Sequence, residues 1–183
     1  MRRPAPGYVH AIRVIDRIIL WSGYVTALLV APLVVANTVE VFMRYVLNDP
    51  TDWAVQATVM SYGALFMLGA AYTLQKGAHV RTDMFWEKFS DRTKGIIDAV
   101  AYALLFLPSM AILCYISFDE FTYAWSIGER STLTEWQPPL WPYRAVVPVA
   151  AALLFLQGIS ELMKSLWAWR TGALLVHHEK IEI

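Results

Sequence analysis

Cysteine is nearly absent from this chain, with one residue, Cys114, among 183. A lone cysteine inside an apolar run permits no internal disulfide and no cysteine-based metal cage, which leaves the role of a small packing residue. Charge is also scarce. Charged residues make up 16% of the sequence, against roughly 25% in soluble domains. The formal net charge is +0, so there is no bulk basic field to hold nucleic acid. No glycine-rich phosphate loop, no serine–histidine–acid set in its motif context and no Cys/His cluster occurs. The histidines His10, His79, His177 and His178 all fall outside the apolar runs, so a haem anchor would lack axial ligands at membrane depth. The expectation is a protein that is not an enzyme and carries no cofactor or catalytic metal.

Apolar residues and aromatics are abundant. Hydrophobic residues account for 57% of the chain, with eight Trp and nine Tyr, and the mean hydropathy is +0.44. Aromatics in such number suit the two membrane–water interfaces. The length corresponds to one domain, 1–183. Four apolar runs, about 18–46, 53–74, 96–118 and 143–164, are each long enough to cross a bilayer as a helix. The first rises about 43 Å, more than the roughly 30 Å hydrocarbon core, so it must tilt or project. Pro32 inside it predicts a kink. In the second, Ala54, Ala57, Ser61, Ala64 and Ala71 recur in a three–four rhythm, the pattern by which membrane helices approach closely. Glu161 and Lys164 close the fourth and are spaced to pair at i, i+3.

The fold expected is an all-α membrane protein of four transmembrane helices. A short interfacial helix is expected between the second and third, at about 80–92, where Val80, Met84, Phe85 and Phe89 share one face. Lysine and arginine set the orientation. Arg2, Arg3, Arg13, Arg17, Lys76, Arg81, Lys88, Arg92, Lys94, Lys164, Arg170 and Lys180 fall on one side, and only Arg44, Arg130 and Arg144 on the other. Both termini are therefore expected in the cytoplasm, with the loop 126–142, rich in proline and tryptophan, resting on outer headgroups.

The stretch Asn37–Trp53 joins an apolar helix to the next through the polar turn Asn48-Asp49-Pro50. Asn37, Glu40 and Arg44 lie at i, i+3 and i+7, on one helical face. Two readings stay open: a helix end snorkelling into headgroups with a local Glu40–Arg44 pair, or a dedicated subunit contact. Asp119 and Glu120 reach a similar depth, about 34 Å above Ile96 against about 33 Å above Ile18 for Glu40, and are further candidates to hold Arg44. With Glu40 so near the surface, a proton-coupled exporter lacks its deep carboxylate. A small autonomous transporter and a structural anchor of another membrane complex remain the rival classes.

Asn37–Trp53, with Glu40, Arg44-Tyr45, Asn48, Pro50 and Trp53, resembles the signature of the small, DctQ-type membrane subunit of TRAP (tripartite ATP-independent periplasmic) transporters. Gly69-Ala70-Ala71-Tyr72 and Gly77-Ala78-His79-Val80-Arg81-Thr82-Asp83 resemble that family's second block. Gln56 departs from it, standing where many relatives have an acid. The resemblance implies a multi-pass protein of the bacterial inner membrane. It also implies a sodium-coupled transporter of organic acids, in which a periplasmic substrate-binding protein delivers to a large multispan permease subunit. The small subunit would enlarge the static scaffold, touching the large subunit, membrane lipids and, through its outer loops, the binding protein. The candidate subunit-contact residues are Asn37, Glu40, Arg44, Tyr45, Trp53, Gln56, Ser61, His79 and Asp83.

Overall fold

The computed structural model describes residues 6–77 and 89–172. Within them the chain is helical, with α1 Pro6–Ala27, α2 Val30–Val46, α3 Ala54–Gln75, α4 Asp91–Ala101, α5 Leu107–Ser126 and α6 Trp141–Thr171. A π-helical turn, Tyr102–Phe106, joins α4 to α5. These elements make four continuous rods long and apolar enough to cross a membrane: Pro6–Val46, Ala54–Gln75, Asp91–Ser126 and Trp141–Thr171. The all-α membrane fold expected from hydropathy is the fold found.

The breaks in the rods follow the prolines. Pro32 has no N–H to give Leu28, and its ring crowds that carbonyl. The N–H of Ala31 takes the Leu28 oxygen instead, at 3.2 Å, and Leu28 and Leu29 turn back on Val25 and Thr26. The expected kink is thus a short break between α1 and α2, four residues before the ring that causes it. Pro108 acts likewise on the third rod. It cannot bond Leu104, and the preceding turn widens so that the N–H of Leu107 reaches Tyr102 five residues back.

Packing is centred on the last helix. The long α6 contacts α1, α3, α4 and α5, while α3 also contacts α1 and α2. Apart from Ile12, Ile19 and Leu74, the buried residues are mostly small or polar, among them Ala54, Ala64, Ala71, Ala99, Ala150, Ala151 and Ala168, with Gln56, Gln157, Ser160 and Glu161. Large apolar side chains such as Leu28, Phe66, Leu104 and Tyr115 point outward. This inversion of a soluble core is what lipid solvent favours, since tails receive the large side chains and small ones let backbones approach. At Gly95 two helix backbones come close together. A Cβ there would sit 2.6 Å from the backbone N of Trp169 and 2.8 Å from the carbonyl oxygen of Ser165.

One end of the bundle gathers the start of α1, the end of α3, the start of α4 and the end of α6; it is called here the terminal end. The other, the turn end, carries the 47–53 turn and the 127–140 loop. The interfacial helix expected at 80–92 lies mostly outside the described residues. Its last two positions, Asp91 and Arg92, are instead the first turn of α4, capped by the Ser90 side chain, which accepts from the N–H of Thr93. The third rod consequently starts earlier than its hydropathy suggests, because polar first-turn residues extend a helix without raising its apolarity.

Candidate functional site

At the turn end, α2 ends at Val46 and the chain turns at Asn48, whose φ of 52° is the left-handed conformation that asparagine tolerates better than branched residues. The N–H of Asp49 then reaches back to Met43 at 3.1 Å. Glu40 ties this turn down with both oxygens. One accepts from Nε and Nη2 of Arg44, the first at 2.9 Å. The other accepts the Thr51 N–H at 3.0 Å and the Thr51 hydroxyl. Glu40 is largely covered, with 13% of its side chain exposed, whereas Arg44 is 48% exposed.

The acids expected beside Arg44 are elsewhere. Glu120 pairs with Arg144 at 2.8 Å, and the same guanidinium meets Glu129 at 2.7 Å. The reason is topological: α2 packs on α3, and α5 packs on α6. Depth matched, but side of the bundle did not, and the cation nearest Glu120 is on α6. The 127–140 loop is ordered by its own backbone. Ser131 N–H donates to Pro138 at 2.9 Å and Leu140 N–H to Glu129 at 2.8 Å, while Arg130 reaches Gln137 O at 3.2 Å. The buried Gln56 holds this loop to α3, its Oε1 accepting the Ser131 hydroxyl at 2.9 Å. Gln56 therefore works as a buried, neutral hydrogen-bonding group that ties the loop to α3.

Of the other sequence candidates, Asn37 is exposed and its amide donates to Leu33 O at 2.8 Å in its own helix. Tyr45 is exposed, Trp53 is the residue before α3, and Ser61 is half-buried on α3. His79 and Asp83 lie outside the described residues. Glu40 and Arg44 are brought together; Gln56 and Ser61 belong to a different helix face and join neither.

A second polar cluster, at the terminal end, was missed from the sequence. Asp16 of α1 accepts from Ser160 at 2.8 Å, from Lys164 at 3.0 Å and from Gln157 at 3.4 Å. Lys164 also pairs with Glu161 at 2.8 Å, as the spacing predicted, and Gln157 donates to Glu161 at 2.9 Å. Gln75 of α3 donates to the Asp16 carbonyl, and the Tyr8 hydroxyl to Met163 O. The cluster thus joins α1, α3 and α6. Its signal was present: Gln157, Ser160, Glu161 and Lys164 fall at i, i+3, i+4 and i+7, a polar stripe entering an apolar helix. Among the described residues no group of three or more His, Cys, Asp or Glu is placed to hold a metal ion.

In both clusters most carboxylates and cations answer one another inside the chain, which is the arrangement of a packed support. The family model described as "Tripartite ATP-independent periplasmic transporters, DctQ component" matches residues 33–167. Comparison with curated proteins and comparison with solved structures each returned no match. The matched region takes in α2 through most of α6, including the Glu40–Arg44–Thr51 turn, the Gln56–Ser131 link and the Arg144 cluster. The chain belongs to the DctQ family, the small permease component of TRAP transporters, and is a multi-pass inner-membrane protein.

Proposed function

We propose that this chain is the non-catalytic scaffold subunit of a sodium-coupled TRAP transporter for organic acids, a single membrane domain packed against the large membrane subunit. The family works with that large subunit and a substrate-binding protein. Sodium coupling and organic-acid transport are what the sequence resemblance implies. The observation that carries the scaffold role is the disposition of polar groups. Most of the buried ones are engaged with one another or, as Thr26 and Ser117 are, with their own helix backbone, and alanines and glycine line most of the remaining helix contacts. A substrate path needs polar side chains near the midplane. An elevator-like carrier needs a partner that does not move, and long rods locked by buried ion pairs supply one.

Proteoliposomes test the proposal. Uptake of an organic acid on a sodium gradient is expected when this chain, the large subunit and the binding protein are all present, and is expected to be lost when this chain is omitted. Uptake by this chain alone would overturn the assignment and favour an autonomous small transporter.

A further inference from the structure

We propose that the outward stripe of α2 running through Val34, Asn37, Val41 and Arg44 is the seat of one transmembrane helix of the large subunit, with a hydrogen-bond donor facing Asn37 and a carboxylate or helix C-terminus facing Arg44. This rests on the scaffold assignment above and names its contact surface.

The helix α2 packs inward on α3, with Ala36 buried. Val34, Asn37, Val41 and Arg44 follow at three- and four-residue steps and so form one ridge; all four are exposed, Val41 by 56%. Exposed valines say nothing by themselves, since lipid tails satisfy them. The two polar residues decide the occupant. Asn37 lies about 10 Å deeper along the helix than Arg44. Its NH2 group bonds Leu33 O, and its Oδ1 has no donor among the described residues. Hydrocarbon offers none, and an amide oxygen left there is costly. Arg44 spends Nε and Nη2 on Glu40, and its Nη1 has no acceptor among the described residues. A phospholipid headgroup would satisfy Arg44 but leaves Asn37 facing acyl chain. A membrane helix satisfies both, because its polar side chains recur at depths that a headgroup never reaches. Across the bundle, with α3 and α6 between, Leu105 of the π turn and Ile112 and Ile116 of α5 face outward with the small hydroxyl of Ser109 among them, a ridge without the amide and the charge that α2 presents.

The test uses the full chain co-expressed with the large subunit. The photoreactive residue p-benzoylphenylalanine is placed at Val34 or Val41, and for comparison at Leu105 or Ile112. Irradiated membranes are expected to give adducts with the large subunit from the α2 positions, and lipid adducts from the positions on the third rod. Asn37→Leu is expected to weaken recovery of the large subunit about three- to tenfold, the range of one interhelical hydrogen bond. Asn37→Gln, which keeps the amide, is expected to recover most of it. The unfolding midpoint of the isolated Asn37→Leu chain serves as the folding control and is expected to stay at the wild-type value. An intact complex whose α2 probes label only lipid would overturn the stripe while sparing the scaffold assignment, as would wild-type recovery with Asn37→Leu. Failure of the wild-type chain to retain any large subunit would overturn both.

Discussion

The Glu40 and Asp16 charge clusters differ in how far apart their members lie in sequence, and that difference governs what each does. Glu40 and Arg44 are one helical turn apart, so their pairing is a property of α2 alone and was legible from spacing. Asp16 and Lys164 are 148 residues apart, and only the packing of α1 on α6 brings them together. Sequence spacing exposes the first kind and is blind to the second. The second kind carries more of the fold, because its charges are covered: Lys164 and Glu161 are 10% and 7% exposed, and Asp16 26%. Removing the cation leaves two carboxylates with no ion-pair partner among the described residues, in a place that is largely covered. Breaking a buried pair costs about 3–5 kcal/mol, and the partial exposure of Asp16 brings the expected loss for Lys164→Met to about 3 kcal/mol. The check is the unfolding midpoint of the purified chain in detergent. Adding Asp16→Asn and Glu161→Gln to Lys164→Met is expected to restore most of the loss, since no charge then remains uncompensated. An unchanged midpoint for Lys164→Met would mean that water already solvates the cluster.

Hydropathy and proline placement made the rods and the Pro32 break readable, because both act through the backbone of a few neighbouring residues. The π turn at Tyr102–Phe106 was not readable. Proline at 108 says that one hydrogen bond is lost, but not whether the helix bends or widens to accommodate it. The contacts between rods were partly readable. The alanine face of α3 turns inward at Ala54, Ala64 and Ala71, yet nothing local to Gly95 says that another backbone lies against it. That contact gives a paired expectation. Gly95→Ala places a methyl against the backbone of Ser165 and Trp169, and neither can swing aside as a side chain would. The α4–α6 contact must open, at a cost of about 1–3 kcal/mol typical of overpacking. Gly69→Ala, where nothing lies within 4 Å of the added carbon, is expected to leave the isolated chain's midpoint unchanged. Thermal unfolding of the two variants side by side checks the pair, and equal effects would show that the close approach is not rigid.

For the whole molecule, the decisive asymmetry is that the two ends of the bundle are built differently. The terminal end collects Arg13, Arg17, Lys94, Lys164 and Arg170, whereas the turn end has Arg44, Arg130 and Arg144. Two of those three turn-end cations are paired with acids, Arg44 to Glu40 and Arg144 to both Glu120 and Glu129. Basic residues that flank spans are retained on the cytoplasmic side during insertion. The terminal end is therefore expected to face the cytoplasm, and the ordered loop 127–140 the periplasm, where a substrate-binding protein would meet it. A chain with one cysteine makes the test direct. Cys114 is half-buried, its Sγ 3.7 Å from Pro148 O, and Cys114→Ala clears the background at small cost. In that chain, Leu133→Cys reports the loop and Trp169→Cys the terminal end; both positions are exposed, and neither substitution alters the charge balance that sets orientation. With a membrane-impermeant maleimide on intact spheroplasts, Leu133→Cys is expected to label at once and Trp169→Cys only after the membrane is opened. The reverse pattern would put the loop in the cytoplasm and remove any direct role for it in receiving a periplasmic binding protein. Labelling of both positions from outside would mean that α6, the one rod between them, does not carry the chain across the membrane.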